Sequence, residues 1–214
     1  MAKMKKGIFG PLSGKIGPLI VSRWKGINYV KEAAQKPAEP LPRSTAQIAN
    51  EQKMKFTNDL LQPFHPYVNI GFENMAVDKT ALSVAYSFNF HKAVMGEYPN
   101  LSVDYSKMVI SCGLLPQLNQ PALKLIAPDV LQLTWQQNTN SNAAFDDQVM
   151  LVLYSPELKI TDGFTGGAKR TARQCLFKFD PELVGTPLEV YLSVTSMNRK
   201  KVADSIYMGR VEPL

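Results

Sequence analysis

With 214 residues, 45% hydrophobic and 20% charged, the chain has the makeup of an ordinary globular protein large enough to bury a substantial core. No stretch approaches the ~20 apolar residues of a membrane-spanning helix, and two cysteines, Cys112 and Cys175, exclude a disulfide framework and a cysteine zinc site. The net charge of +6 is uneven: residues 1–62 hold 11 Lys/Arg against 4 Asp/Glu, and residues 63–214 hold 13 against 14, so the basic character belongs to the N-terminal third.

The opening "MAKMKKGIFGPLSGKIGPLIV" is basic, but Lys15 and recurrent Gly and Pro break any apolar run of signal-peptide length. No signal is expected, and the expected compartment is the cytoplasm. Glycines at 7, 10, 14 and 17 match neither GxxxxGK[ST] nor GxGxxG. "PLIVSRW" and "INYVKEA" are two β-prone runs around Lys25-Gly26, which predicts a β-hairpin over 16–33 with Trp24 at the bend. Prolines 37, 40 and 42 make a semi-rigid linker. Ser44, with Gln47 three residues later, then opens a helix over about 45–62, stopped by Pro63 and Pro66. Its apolar face is thin (Ile48, Phe56, Leu60, Leu61), and Lys53 and Lys55 are expected to stay in water.

Residues 75–96 carry two patterns. "LSVAYSFNF" alternates as a strand does, whereas Asp78 as N-cap, Gly96 as terminator and apolar residues at 81, 84, 85, 88 and 95 favour a helix. From Tyr105 on, short β-prone runs separated by Gly, Pro, Asn or Asp predict a β-sandwich. In "LEVYLSV", Leu188, Val190, Leu192 and Val194 share a face, with Glu189 and Ser193 pointing away. "VMLVLY" is apolar on both faces, as in a covered central strand. "GFTGGAKR" reads as a flexible hairpin tip. The expected fold is mainly β with a few helices: a basic N-terminal arm over 1–68 (hairpin, proline linker, helix), a connecting segment over 69–104 and a sandwich over 105–214.

The segment from "VLQLTWQ" to "SIYMGRV" resembles the fibronectin type III/immunoglobulin-like sandwich, with Trp135 where such domains place a core tryptophan on an early strand. Leu188 stands where a tyrosine-corner residue is expected, so that hydrogen bond is absent or supplied by Tyr191. "GKIG…SRWKGINYVKEA…P…STAQ", "NIGF", "DYSKMVISCGLLP" and "DDQVMLVLY" together resemble a bacterial family of unknown activity. The hairpin–linker–helix is similar to modules of phage- or prophage-associated structural proteins. Neither resemblance supplies catalytic residues.

The residues themselves show no catalytic constellation. His65 and His91 accompany no GxSxG or HExxH, and each reads as a surface or boundary histidine. Cys112 and Cys175 read as small buried hydrophobes. Asp146-Asp147 falls short of a calcium loop and reads as a solvated loop with one side chain closing a turn. Arg23, Trp24, Lys25, Tyr29 and Lys31 interleave aromatic rings with cations and form the candidate interaction surface, although strand alternation need not put them on one face. The expectation is a non-enzymatic structural or interaction protein, without cofactor or metal and with no membrane contact, acting through a protein partner or self-association. The alternative is nucleic-acid or acidic-surface binding through the arm, and a third reading is glycan or small-ligand recognition at loops 136–147 and 161–169.

Overall fold

The computed structural model describes residues 2–4, 13–34, 42–138 and 142–214. Glycines 7 and 10 and linker prolines 37 and 40 lie outside the described residues. The chain forms two compact units, Met1–Ser44 and Thr45–Leu214.

The first unit is an antiparallel sheet of strands β1 (Ala2–Met4), β2 (Gly14–Ile16), β3 (Leu19–Trp24) and β4 (Ile27–Glu32), in the order β1-β4-β3-β2. The expected hairpin is β3–β4, closed by the Trp24–Ile27 pair. Its two-residue turn has Lys25 at φ 47° and Gly26 at φ 79°. Both central residues are left-handed, the turn geometry whose twist matches that of the flanking strands. A Cβ on Gly26 would touch nothing within 4 Å, so glycine is favoured there by conformation and not by space. The hairpin is the centre of a larger sheet, because β2 pairs with β3 and β1 with β4.

The second unit begins with helices α1 (Thr45–Leu61), α2 (His65–Gly71) and α3 (Ala81–Lys92), followed by a two-stranded ribbon of β5 (Val94–Met95) and β6 (Ser102–Val103). Pro63 and Pro66 stand at the first positions of the turn and helix that follow α1, where a missing N–H costs nothing. The ambiguous segment is helical, but its N-cap is Thr80 and not Asp78: Thr80 Oγ1 accepts the Ser83 N–H at 3.1 Å. Lys53, expected in water, lies over the Phe90 ring at 4.6 Å.

Seven strands follow among the described residues: β7 (Asn119–Ala127), β8 (Val130–Gln136), β9 (Gln148–Ser155), β10 (Ile160–Lys169), β11 (Gln174–Lys178), β12 (Leu188–Thr195) and β13 (Ile206–Val211). They form sheets β11-β8-β7 and β10-β9-β12-β13. The fourth of these strands, β10, joins the sheet of the third, β9. Between the sheets, Leu131, Leu133 and Trp135 of β8 meet Val149, Leu151 and Leu153 of β9 and Leu188, Val190, Leu192 and Val194 of β12.

Three sequence expectations need correction here. Glu189 and Ser193 do not face water: every residue of β12 is buried, because the helices cover the second face of its sheet. There Met150, Val152, Tyr154 and Tyr191 pack with Phe64, Val68, Phe72, Ala85 and Ile110. The division of the chain falls at residue 44 and not at 68, because α1 buries Leu60 and Leu61 in that same core. Residues 161–169 are neither loop nor hairpin tip but part of edge strand β10, which pairs with β9 through an irregularity between Thr165 and Ala168.

Candidate interaction surface

Cross-strand partners in an antiparallel sheet share a face, so register settles how the five candidate residues are arranged. The pairs Trp24–Ile27, Ser22–Tyr29, Ile20–Lys31 and Lys15–Ile20 place Lys15, Trp24, Tyr29 and Lys31 on one face. Arg23 pairs with Asn28 on the reverse. Lys25 sits in the turn with its Nζ 5.4 Å from the centre of the Trp24 ring, a cation–π distance. Lys15 escaped sequence reasoning because its strand is only three residues long and its position shows only in the register with β3. Trp24 is 44% exposed; on the reverse face Ile16 and Leu19 oppose each other at 54% and 44%, beside buried Val21. Among its described residues this unit has neither helix nor second sheet to cover either face.

The remaining candidate groups are structural. Asp147 is buried and not solvated. Its Oδ2 accepts the Ala144 N–H at 3.0 Å and the Arg170 guanidinium at 3.2 Å. Arg170, also buried, donates to the carbonyls of Pro116 (2.7 Å) and Gln117 (3.2 Å), while its own carbonyl accepts the Trp135 indole N–H at 2.7 Å. Burial pulls the Arg170 pKa below its usual value, against the opposing pull of Asp147. This lock ties β8, the end of β10 and the 116–117 segment together, and its pairing satisfies two charges that would otherwise be very costly to bury. Tyr191 makes no corner: its hydroxyl donates at 2.9 Å to the carbonyl of Tyr105, ahead of the sandwich, and Leu188 is plain core.

His65 and His91 are both exposed, on α2 and α3. Cys112 and Cys175 are only partly buried, packed against the two cores separately. Burial raises both thiol pKa values, which opposes thiolate chemistry at neutral pH. Among the described residues no group of three or more His, Cys, Asp or Glu could hold a metal ion. No described helix is long and apolar enough to cross a membrane.

Among solved structures, the fibronectin type III domain of the human collagen alpha-1(XX) chain matches 46% of this chain and 85% of its own length, at 13% identity and a TM-score of 0.31. No curated protein matches. A family model described as a family of unknown function (DUF6266) matches residues 11–209, which takes in both the N-terminal sheet from β2 onward and nearly all of the body. The chain belongs to that family.

Proposed function

We propose that this is a non-enzymatic interaction protein whose N-terminal sheet joins it to a second copy of the same chain. The observation that carries the reading is a four-stranded sheet with no helix or second sheet over it among the unit's described residues, on which Trp24, Ile16 and Leu19 stand exposed. A sheet with apolar faces gains stability by burying at least one of them against another element. Sandwiches like the one in the body are typically non-catalytic and commonly mediate protein contacts. The similarity of the hairpin–linker–helix to phage-associated structural modules supports an assembly setting, which the neighbouring genes would test. Light scattering of the full chain should report an oligomer that dissociates in the Leu19→Ser/Trp24→Ser variant. A wild-type monomer refutes the reading, as does an oligomer indifferent to both changes.

A second reading, binding of single-stranded nucleic acid, draws on the shared face of Lys15, Trp24, Tyr29 and Lys31, where rings could stack and cations meet phosphates. Its signature is a salt-dependent mobility shift whose log–log slope shrinks in Lys15→Ser/Lys31→Ser. Absence of any shift at low salt would dispose of it.

A further inference from the structure

One end of the body holds a cavity of about 680 Å³ lined by Asn74, Leu114, Leu115, Asn142, Lys200, Lys201 and Val202. We infer that it is a docking site for an acidic polypeptide segment of a partner protein, with Lys200 and Lys201 receiving its carboxylates and Leu114 packing on an apolar side chain between them.

The walls are built rather than incidental. Gly113 passes so close to the segment between β12 and β13 that a Cβ there would meet the Val202 carbonyl oxygen at 2.1 Å. Its N–H donates to Asp204 Oδ1 at 2.9 Å, and the Leu115 N–H donates to the Val202 carbonyl at 3.0 Å. Leu114, between these two anchored residues, is 100% exposed. A large apolar side chain held in water on an anchored backbone is pre-organised for burial by a partner, since little ordering entropy remains to be lost. The loop bearing the lysines is also tied: Ser196 N–H donates to the Lys201 carbonyl at 2.9 Å, and Lys200 N–H to Asn198 Oδ1 at 3.1 Å. Asn74 is held by its own bond to the Cys112 carbonyl at 3.0 Å.

Charge selects the occupant. Lys200 and Lys201 are exposed, and neither side chain has an ion-pair partner among the described residues. The loop's three consecutive cations, Arg199, Lys200 and Lys201, outnumber the two nearby carboxylates that Arg170 does not neutralise. These are Asp204, whose Oδ1 accepts the Gly113 N–H, and Asp146, which shares with Lys201 an adjoining depression of about 440 Å³, whereas Asp147 is paired with Arg170. Residues 63–214 hold 13 Lys/Arg against 14 Asp/Glu and residues 1–62 are strongly basic, so a second copy of this chain brings no marked acidic excess to match a cationic cavity. A nucleic acid would want stacking platforms, and no aromatic ring lines the cavity among the described residues. Carboxamides from Asn74 and Asn142 suit a peptide backbone, and lysine suits carboxylates as a mobile point charge.

The test is selection of a displayed library of random short peptides on the full-length protein, followed by anisotropy titration of the enriched peptides. Enriched sequences should pair Asp or Glu with a large apolar residue and bind more weakly as salt rises. Their affinity should fall about tenfold or more in Lys200→Glu/Lys201→Glu, several-fold in Leu114→Ser, and not at all in Trp24→Ala, the range expected for truncating anchors of an interface. All four side chains are exposed, so unchanged melting of each variant shows that folding is not what is measured. No enrichment, enrichment without carboxylates, or binding that tracks Trp24 instead of Lys200 and Lys201 overturns the proposal.

Discussion

Replacing Trp135 by alanine removes a side chain that is 4% exposed and that fills the space between the two sheets beside Leu131 and Leu133. Truncations of this kind cost about 3–5 kcal/mol through lost burial and the cavity left behind. The indole also donates to the Arg170 carbonyl at 2.7 Å, and leaving that buried acceptor unpaired adds about 1–3 kcal/mol. Against a total stability of roughly 5–15 kcal/mol, Trp135→Ala should unfold the body or leave it marginal. Trp135→Phe keeps most of the apolar volume and loses the hydrogen bond, so it should cost roughly 1–3 kcal/mol. Each kcal/mol moves the melting of a domain this size by about 2–4 °C. Trp24→Ala, in the other unit and with its ring 44% exposed, should leave the body's melting in place. Thermal melts of the three variants beside wild type decide the matter. Equal, small shifts for Trp135→Ala and Trp24→Ala would refute the core role of Trp135. A Phe variant as damaged as the Ala variant would show that the polar lock, and not packing, dominates.

A chain starting at Thr45 should melt as the intact body does, whereas one starting at Asn69 loses Phe64 and Val68 from the core beneath Tyr154 and Tyr191 and should be insoluble; equal solubility of the two would contradict the helical layer described above. Arg170→Met strands a buried carboxylate at Asp147 and should cost about 3–5 kcal/mol in urea unfolding, with much of it recovered in Arg170→Met/Asp147→Leu; a double variant no better than the single one would speak against the pairing. Burial pushes the phenols of Tyr67, Tyr154 and Tyr207 from 10.0 up to about 12, and that of Tyr191 higher still. The folded state therefore keeps protons that the unfolded state releases, and stability is intact below about pH 10 and lost as pH rises toward 12. The tyrosinate absorbance of these four phenols should thus appear together with unfolding, and their ionisation near 10 in a protein still folded would contradict it.

What could be read from sequence followed from local periodicity. Leu131, Leu133 and Trp135 alternate with Gln132, Thr134 and Gln136, and β8 buries the first set as a period of two requires. The turn at Lys25-Gly26 was visible because glycine there serves a left-handed backbone. Polar residues that find distant partners were misread. Ser193 looked solvent-facing, yet it accepts from the Ser111 hydroxyl at 2.6 Å, 82 residues away. Glu189 looked the same, yet it accepts from the Tyr207 hydroxyl at 2.5 Å. A buried polar group is cheap only when paired, and such pairing has no signature in the local pattern. The pairing of Asp147 with Arg170 has no local signature for the same reason, and the thin apolar face of α1, legible as a docking face, understates how much Leu60 and Leu61 bury.

The helical layer changes which surfaces a partner can use. In a bare sandwich the outer face of the four-stranded sheet would meet water and could be bound there. Here that face holds Met150, Val152, Tyr154 and Tyr191 under α1, α2 and α3, and Asn89, fully buried on α3, grips both backbone groups of Val109 with its side-chain amide. Removing that layer to admit a ligand would expose a continuous aromatic core, at about 25 cal/mol for every Å² uncovered. The two recognition surfaces proposed above are both already in water: the Trp24 face of the N-terminal sheet and the Leu114–Lys201 end of the body. The two differ in chemistry, aromatic and cationic in one and aliphatic and cationic in the other, and they lie on separate units. A partner lost with Trp24→Ser and one lost with Lys200→Glu/Lys201→Glu would accordingly be different partners, and a single partner lost with both would have to span the two units.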